Sequence, residues 1–126
     1  MPHAVERHGQ TIYLATEEEL QALVSPVIVD TRDPEVIAAE APDGGFKLAS
    51  SIAVQWNTPG GETTAEGFAA KMAAAKCLPA DKAQAIVTHC GGGGKGKKAM
   101  DALTALGYTN VHNGGNADRI RGAGLE

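Results

Sequence analysis

Short apolar runs and longer amphipathic stretches take turns along this chain. Thr11-Ile12-Tyr13-Leu14, Val27-Ile28-Val29-Asp30, Ser51-Ile52-Ala53-Val54, Ala85-Ile86-Val87 and Asn110-Val111-His112 are compact apolar or β-branched runs, and they predict five strands. The intervening stretches change to a helical period. Thr16-Glu17-Glu18-Glu19 reads as a capping box, with Thr16 capping and Glu19 reaching back, ahead of Leu20, Leu23 and Val24. Pro26 closes that helix. Asp33-Pro34 predicts a second, short helix with Asp33 as cap and Pro34 at the first helical position. Thr63 and Glu66 predict a further capping box, opening a helix through Phe68, Met72 and Ala75 that stops before Pro79. Ala99, Met100, Leu103 and Leu106 fall on one face of a last helix. Pro42 to Gly45 and Asn57 to Gly61 read as loops. Strands alternating with helices predict an α/β fold, a mainly parallel sheet covered on both faces.

Composition narrows the class without changing the fold. The 126 residues suit one core, so residues 11–126 are expected to form a single domain after a polar, loosely ordered segment, 1–10. Hydrophobic content of 43% with 21% charged is that of a globular chain, and no apolar run approaches a membrane span. A net charge of −4 argues against a nucleic-acid partner, with Lys95, Lys97 and Lys98 as a local basic exception. Two cysteines make no disulfide framework, so a reduced, cytoplasmic setting is the expectation. The histidines show no metal-ligand spacing with those cysteines, and no cofactor is implied.

Chemistry concentrates in AIVTHCGGGGKGKKA, Ala85 to Ala99. A strand runs into His89-Cys90, four glycines follow, and a helix comes after them. Backbone N–H groups and a helix dipole converge in such a place and make an anion site. Four glycines cost about 2–4 kcal/mol of chain entropy, a sizeable share of a domain's net stability. Lysines near a helix N-terminus also oppose the macrodipole, which a bound anion or a thiolate would offset. In parallel sheets ligands bind outside the carboxyl ends of the strands, where Asp30-Thr31-Arg32 and His89-Cys90 both fall.

Two nucleotide- and phosphate-handling motifs overlap this stretch. Gly91-x4-Gly96-Lys97 imitates a P-loop, but Lys98 stands where a magnesium-binding Ser or Thr belongs. His89-Cys90 with its loop also resembles cysteine phosphatases and the related arsenate reductases. Those carry an arginine six residues past the cysteine, and here that position is Gly96. Lysine does not reproduce the bidentate guanidinium fork.

Over residues 11–115 the chain resembles the rhodanese homology domain. The residues that carry the likeness are Asp30-Thr31-Arg32 with Asp33-Pro34-Glu35, Cys90 and the loop to Lys95, and Ala99, Leu103, Gly107-Tyr108-Thr109-Asn110-Val111 and Gly114-Gly115. The resemblance implies a three-layer α/β/α domain with a mainly parallel five-stranded sheet. It implies a sulfurtransferase in which Cys90 takes a sulfane sulfur from thiosulfate or a related small anionic donor. The Cys90 persulfide then passes that sulfur to cyanide, a thiol or a protein acceptor. Gly91, Gly92, Gly93, Gly94 and Gly96 would cradle the donor, and Lys95 would attract it. Loop amides, a helix N-terminus and a cation would also favour the thiolate. Arg32 either contacts substrate or holds the loop by pairing with Asp30, and His89 either supports the thiolate or makes a structural hydrogen bond. The alternatives are a cysteine phosphatase or arsenate reductase, and a non-catalytic binding module of the same fold. Cys77, on an alanine-rich helix, reads as a small core residue, and Trp56 as core or loop packing.

Overall fold

The computed structural model describes residues 3–7, 9–39 and 47–125. The loop read at Pro42 to Gly45 lies outside them. Among the described residues six strands and five helices follow in order: β1 (His3–Arg7), β2 (Gln10–Leu14), α1 (Glu17–Gln21), β3 (Val27–Asp30), α2 (Pro34–Ala39), β4 (Ser51–Ala53), α3 (Ala65–Ala74), β5 (Ile86–His89), α4 (Gly94–Ala105), β6 (Val111–Gly115) and α5 (Ala117–Gly122).

The main sheet has four strands in the order β4-β3-β5-β6, and every pairing is parallel. Alternate residues of each strand feed opposite layers, as the pleat requires. Val29 and Ile86 face α3 and α4, where Phe68, Met72, Ala99 and Leu103 are fully buried with them. Ile28 and Val87 face α1 and α5, against Leu20 and Ile120. Each large apolar side chain buried this way contributes about 1.5–3 kcal/mol. Three layers result, α/β/α.

The five-strand expectation needs correction. The run Thr11-Ile12-Tyr13-Leu14 forms β2, but it pairs antiparallel with β1 in a separate hairpin rather than joining the sheet. The expected loosely ordered start of the chain supplies that partner. Gly9, at φ +77°, lets the chain reverse there, and Val5 comes opposite the buried Ile12. A neighbouring strand across a tight turn costs little loop entropy to recruit, so β2 pairs locally. One backbone hydrogen bond, Ala15 N–H to the Asn113 carbonyl at 2.8 Å, ties the hairpin's end to β6.

Helix starts follow the capping logic with two shifts. Thr16 and Glu19 form the reciprocal box that their spacing predicts. At α3 the cap is Thr64, whose hydroxyl accepts from Gly67 N–H, while Thr63 Oγ1 donates to the Trp56 carbonyl. At α4 the helix begins at Gly94, so Lys95 to Lys98 belong to its first turns instead of to the loop. Trp56 packs on Phe68 with ring centroids 5.3 Å apart, and Cys77 is a buried core residue. No described helix is long and apolar enough to cross a membrane.

Candidate functional site

Two loops meet at the carboxyl end of the sheet, one after β3 and one after β5. Their strands pair directly, with Asp30 opposite His89, and Thr31 closes the junction. Both the amide and the hydroxyl of Thr31 donate to the His89 carbonyl, each at 2.8 Å. Strand pairing therefore brings Arg32 and Cys90 to one place from positions 58 residues apart.

The first loop is held by charge. Asp30 and Arg32 are both buried, and the guanidinium grips the carboxylate through Nε (2.9 and 3.2 Å) and Nη2 (2.7 Å). The Arg32 amide adds a hydrogen bond to Asp30 Oδ1 at 3.1 Å. Pairing with Asp30 outweighs burial and raises the pKa of the arginine. Here Arg32 holds the loop, and its remaining surface also lines the cavity described below. The carbonyl of Asp33 accepts from Val36 and Ile37 to start α2, and its carboxylate accepts from Asn57 Nδ2.

The second loop has no side chains of its own between Cys90 and α4. Gly93, at φ +95°, turns its N–H onto Cys90 Sγ at 3.1 Å. An L-residue adopts that φ only with strain, so glycine is required there. Cys90 is 5% exposed and lies in a cavity of about 570 Å³. The cavity is lined by Gly91, Gly92, Gly94, Lys95 and Lys98 from the second loop and α4, and by Gln10, Ile12 and Val36 from β2 and α2. Lys95 Nζ lies 3.6 Å from Asp33 Oδ2, linking the first turn of α4 to the first loop. Lys97 instead pairs with Asp101 one helical turn on, at 2.6 Å.

Gly96, expected in the cradle, takes a different position in the structure. It is buried on the packing face of α4, and a Cβ there would come within 2.6 Å of Asn113 Oδ1 and 3.2 Å of His89 Cα. Thr88 Oγ1 donates to the Gly96 carbonyl at 2.7 Å, drawing the helix onto the sheet. Gly96 thus permits close packing and does not line the cavity.

His89 is fully buried, and its two ring nitrogens have no hydrogen-bond partner among the described residues. Burial depresses its pKa to about 4, against an upward pull from Asp30 and a further downward one from Arg32. The ring is therefore neutral at physiological pH. Sequence reading missed Gln10, Ile12, Val36 and Asn113. The first three reach the site by tertiary packing alone. Asn113 had one visible sign, a polar residue between a predicted strand, Asn110-Val111-His112, and a glycine pair. Among the described residues no group of three or more His, Cys, Asp or Glu side chains is placed to hold a metal ion.

The family model described as a rhodanese-like domain matches residues 16–115. A rhodanese-like domain from an Anabaena sp. protein, solved in solution, superposes with a TM-score of 0.54 at 14% identity, covering 89% of this chain and 75% of that one. A crystal structure of the Anabaena protein gives 0.51 at 16% identity, covering 87% and 83%. At such identities the likeness establishes the fold. No curated protein matches the chain. Because the family model spans residues 16–115, with both loops and Cys90 inside it, the chain belongs to the rhodanese-like domain family.

Proposed function

We propose that this protein is a sulfurtransferase that carries sulfane sulfur as a persulfide on Cys90. The observation that carries the reading is the Gly93 N–H aimed at the sulfur of Cys90, which itself lines a cavity with Lys95 and Lys98. A thiolate there attacks the outer sulfur of thiosulfate or a related anionic donor. A new S–S bond forms at Cys90 and the donor's own S–S bond breaks, with sulfite leaving on the electron pair. An acceptor thiolate or cyanide then attacks the outer persulfide sulfur and returns Cys90 as thiolate. The Gly93 amide stabilises negative charge on sulfur in both states, as oxyanion-hole donors do on oxygen. Lys95 and Lys98 draw the donor in by charge, and Arg32 is fixed at the cavity wall. A protein thiol is an acceptor of the same chemistry. Two free cysteines suit a reducing compartment such as the cytoplasm.

Gly96 weighs against phosphoryl chemistry at the same cysteine. A phosphate-clamping arginine six residues past Cys90 needs a Cβ where only 2.6 Å separates it from Asn113 Oδ1. The test is intact mass after incubation with thiosulfate. Wild type and Cys77→Ser should gain one sulfur atom that a reductant removes, and Cys90→Ser should gain none. Sulfur on Cys77 alone, or aryl-phosphate hydrolysis comparable to sulfur transfer, would overturn the proposal.

A further inference from the structure

We propose that Asn113, on β6, is the positioning residue that sets the Cys90 loop for reaction. The proposal rests on Cys90 as the reacting group. Asn113 is 1% exposed, and its side chain makes two hydrogen bonds to the backbone around the cysteine. Nδ2 donates to the Gly93 carbonyl at 2.9 Å, and Oδ1 accepts from Gly115 N–H at 3.1 Å. A carbonyl only accepts and an amide N–H only donates, so these partners fix which way the side-chain amide faces.

Those same two glycines hold Cys90. Gly93 N–H donates to its sulfur at 3.1 Å, and the Gly115 carbonyl accepts from its N–H at 3.1 Å. Both glycines have positive φ, +95° and +83°, so both sit in backbone conformations that need holding. One planar side chain therefore clamps the donor to the sulfur and the acceptor from the cysteine amide, closing a ring through Asn113, Gly93, Cys90 and Gly115. The absence of a Cβ at Gly96 leaves room for the amide, since a methyl there would strike Oδ1 at 2.6 Å. Asn113 does not line the cavity and meets no substrate, so its effect on chemistry passes through the Gly93 peptide.

Asn113→Asp is the informative change. It keeps the shape and the acceptor for Gly115 but turns an oxygen onto the Gly93 carbonyl. The expected result is a folded protein by circular dichroism, with kcat for sulfur transfer from thiosulfate to cyanide reduced roughly ten-fold or more and KM within about two-fold. A purely structural role would lower the melting temperature and leave kcat of the folded variant at its wild-type value. A folded Asn113→Asp with wild-type kcat would overturn the proposal.

Should that variant fail to fold, NMR on the wild-type protein decides instead. Alkylating Cys90 should shift the Gly93 amide and the Asn113 side-chain amide resonances together, and an unmoved Asn113 signal would refute the link. A wild-type protein that transfers no sulfur yet shows the coupled shifts would sink the sulfurtransferase reading and leave the positioning role intact.

Discussion

The loops after β3 and β5 start from paired residues of adjacent strands, yet they are built by opposite means. The first, Asp30 to Asp33, is held by its own side chains: a buried ion pair and a threonine tied to the neighbouring strand. The second, Cys90 to Gly93, has no side chain after the cysteine and is held from outside, by Asn113 and by the first turn of α4 through Lys97 N–H on the Gly93 carbonyl. A loop that satisfies itself makes a rigid wall. A loop fastened through its carbonyls keeps an N–H for the sulfur. Stability should therefore be most sensitive in the first loop, and chemistry in the second.

Arg32→Leu is the strongest way to break the first loop. It strands the Asp30 carboxylate in the interior, and loss of one partner from a buried pair costs about 3–5 kcal/mol. Urea unfolding should show that loss. The double change Asp30→Leu with Arg32→Leu should cost less than Arg32→Leu alone, because no buried charge is left over. A double variant weaker than the single by the full second increment would mean that the pair itself is the stabilising element.

The next effect in size comes from His89, which lies between the loops. Its folded pKa of about 4 is below the ordinary 6.5, so the unfolded chain binds more protons between those values. The contribution is absent above pH 6.5, and stability then falls with pH down to about 4, by about 3 kcal/mol at the limit. Unfolding midpoints across that window should show the slope, and His89→Phe should flatten it. Asp30, Arg32 and Lys47 all act on the ring, so the same slope in both proteins would assign it to other groups.

Gly93→Ala addresses the second loop directly. At φ +95° an alanine is strained by about 1–2 kcal/mol, and its Cβ meets Leu14 Cδ2 at 3.0 Å. The melting temperature should drop modestly while kcat falls much further, since the turned peptide no longer points at Cys90. Equal losses in the two would erase the contrast between the loops.

Much of this contrast was legible in the sequence, and the reasons differ by residue. Cys90 and its glycines could be read because a strand, a nucleophile and a side-chain-free turn are local patterns. Asp30 and Arg32 could be paired because they lie two residues apart. The helix start at Gly94 was not legible: no side chain caps it, so the sequence offers no signal there. β1 was missed because a polar segment can still pair when a turn and one buried neighbour, Ile12, align it. Gly96 was misassigned because a glycine that admits a neighbour looks the same in sequence as one that turns a loop. Asn113 belongs to the site only through contacts made across the fold.

Lys95, in the first turn of α4, reaches across to the first loop, and it gives the smallest and sharpest test. Its ammonium lies 3.6 Å from Asp33 Oδ2, and the lysine side chain is 34% exposed. A solvated pair of that kind contributes at most about 1 kcal/mol, so Lys95→Ala should barely move the unfolding midpoint. The charge still lines the Cys90 cavity, and on the proposed sulfurtransferase reading it would draw an anionic donor before any bond changes. The KM for thiosulfate should therefore rise several-fold with kcat nearly constant, the pattern of lost ground-state binding. Added salt should weaken the wild-type protein toward the variant, because screening removes the same attraction. A fall in kcat with unchanged KM would place Lys95 in the transition state instead, and the division between a structural loop and a reactive one would then have to include it.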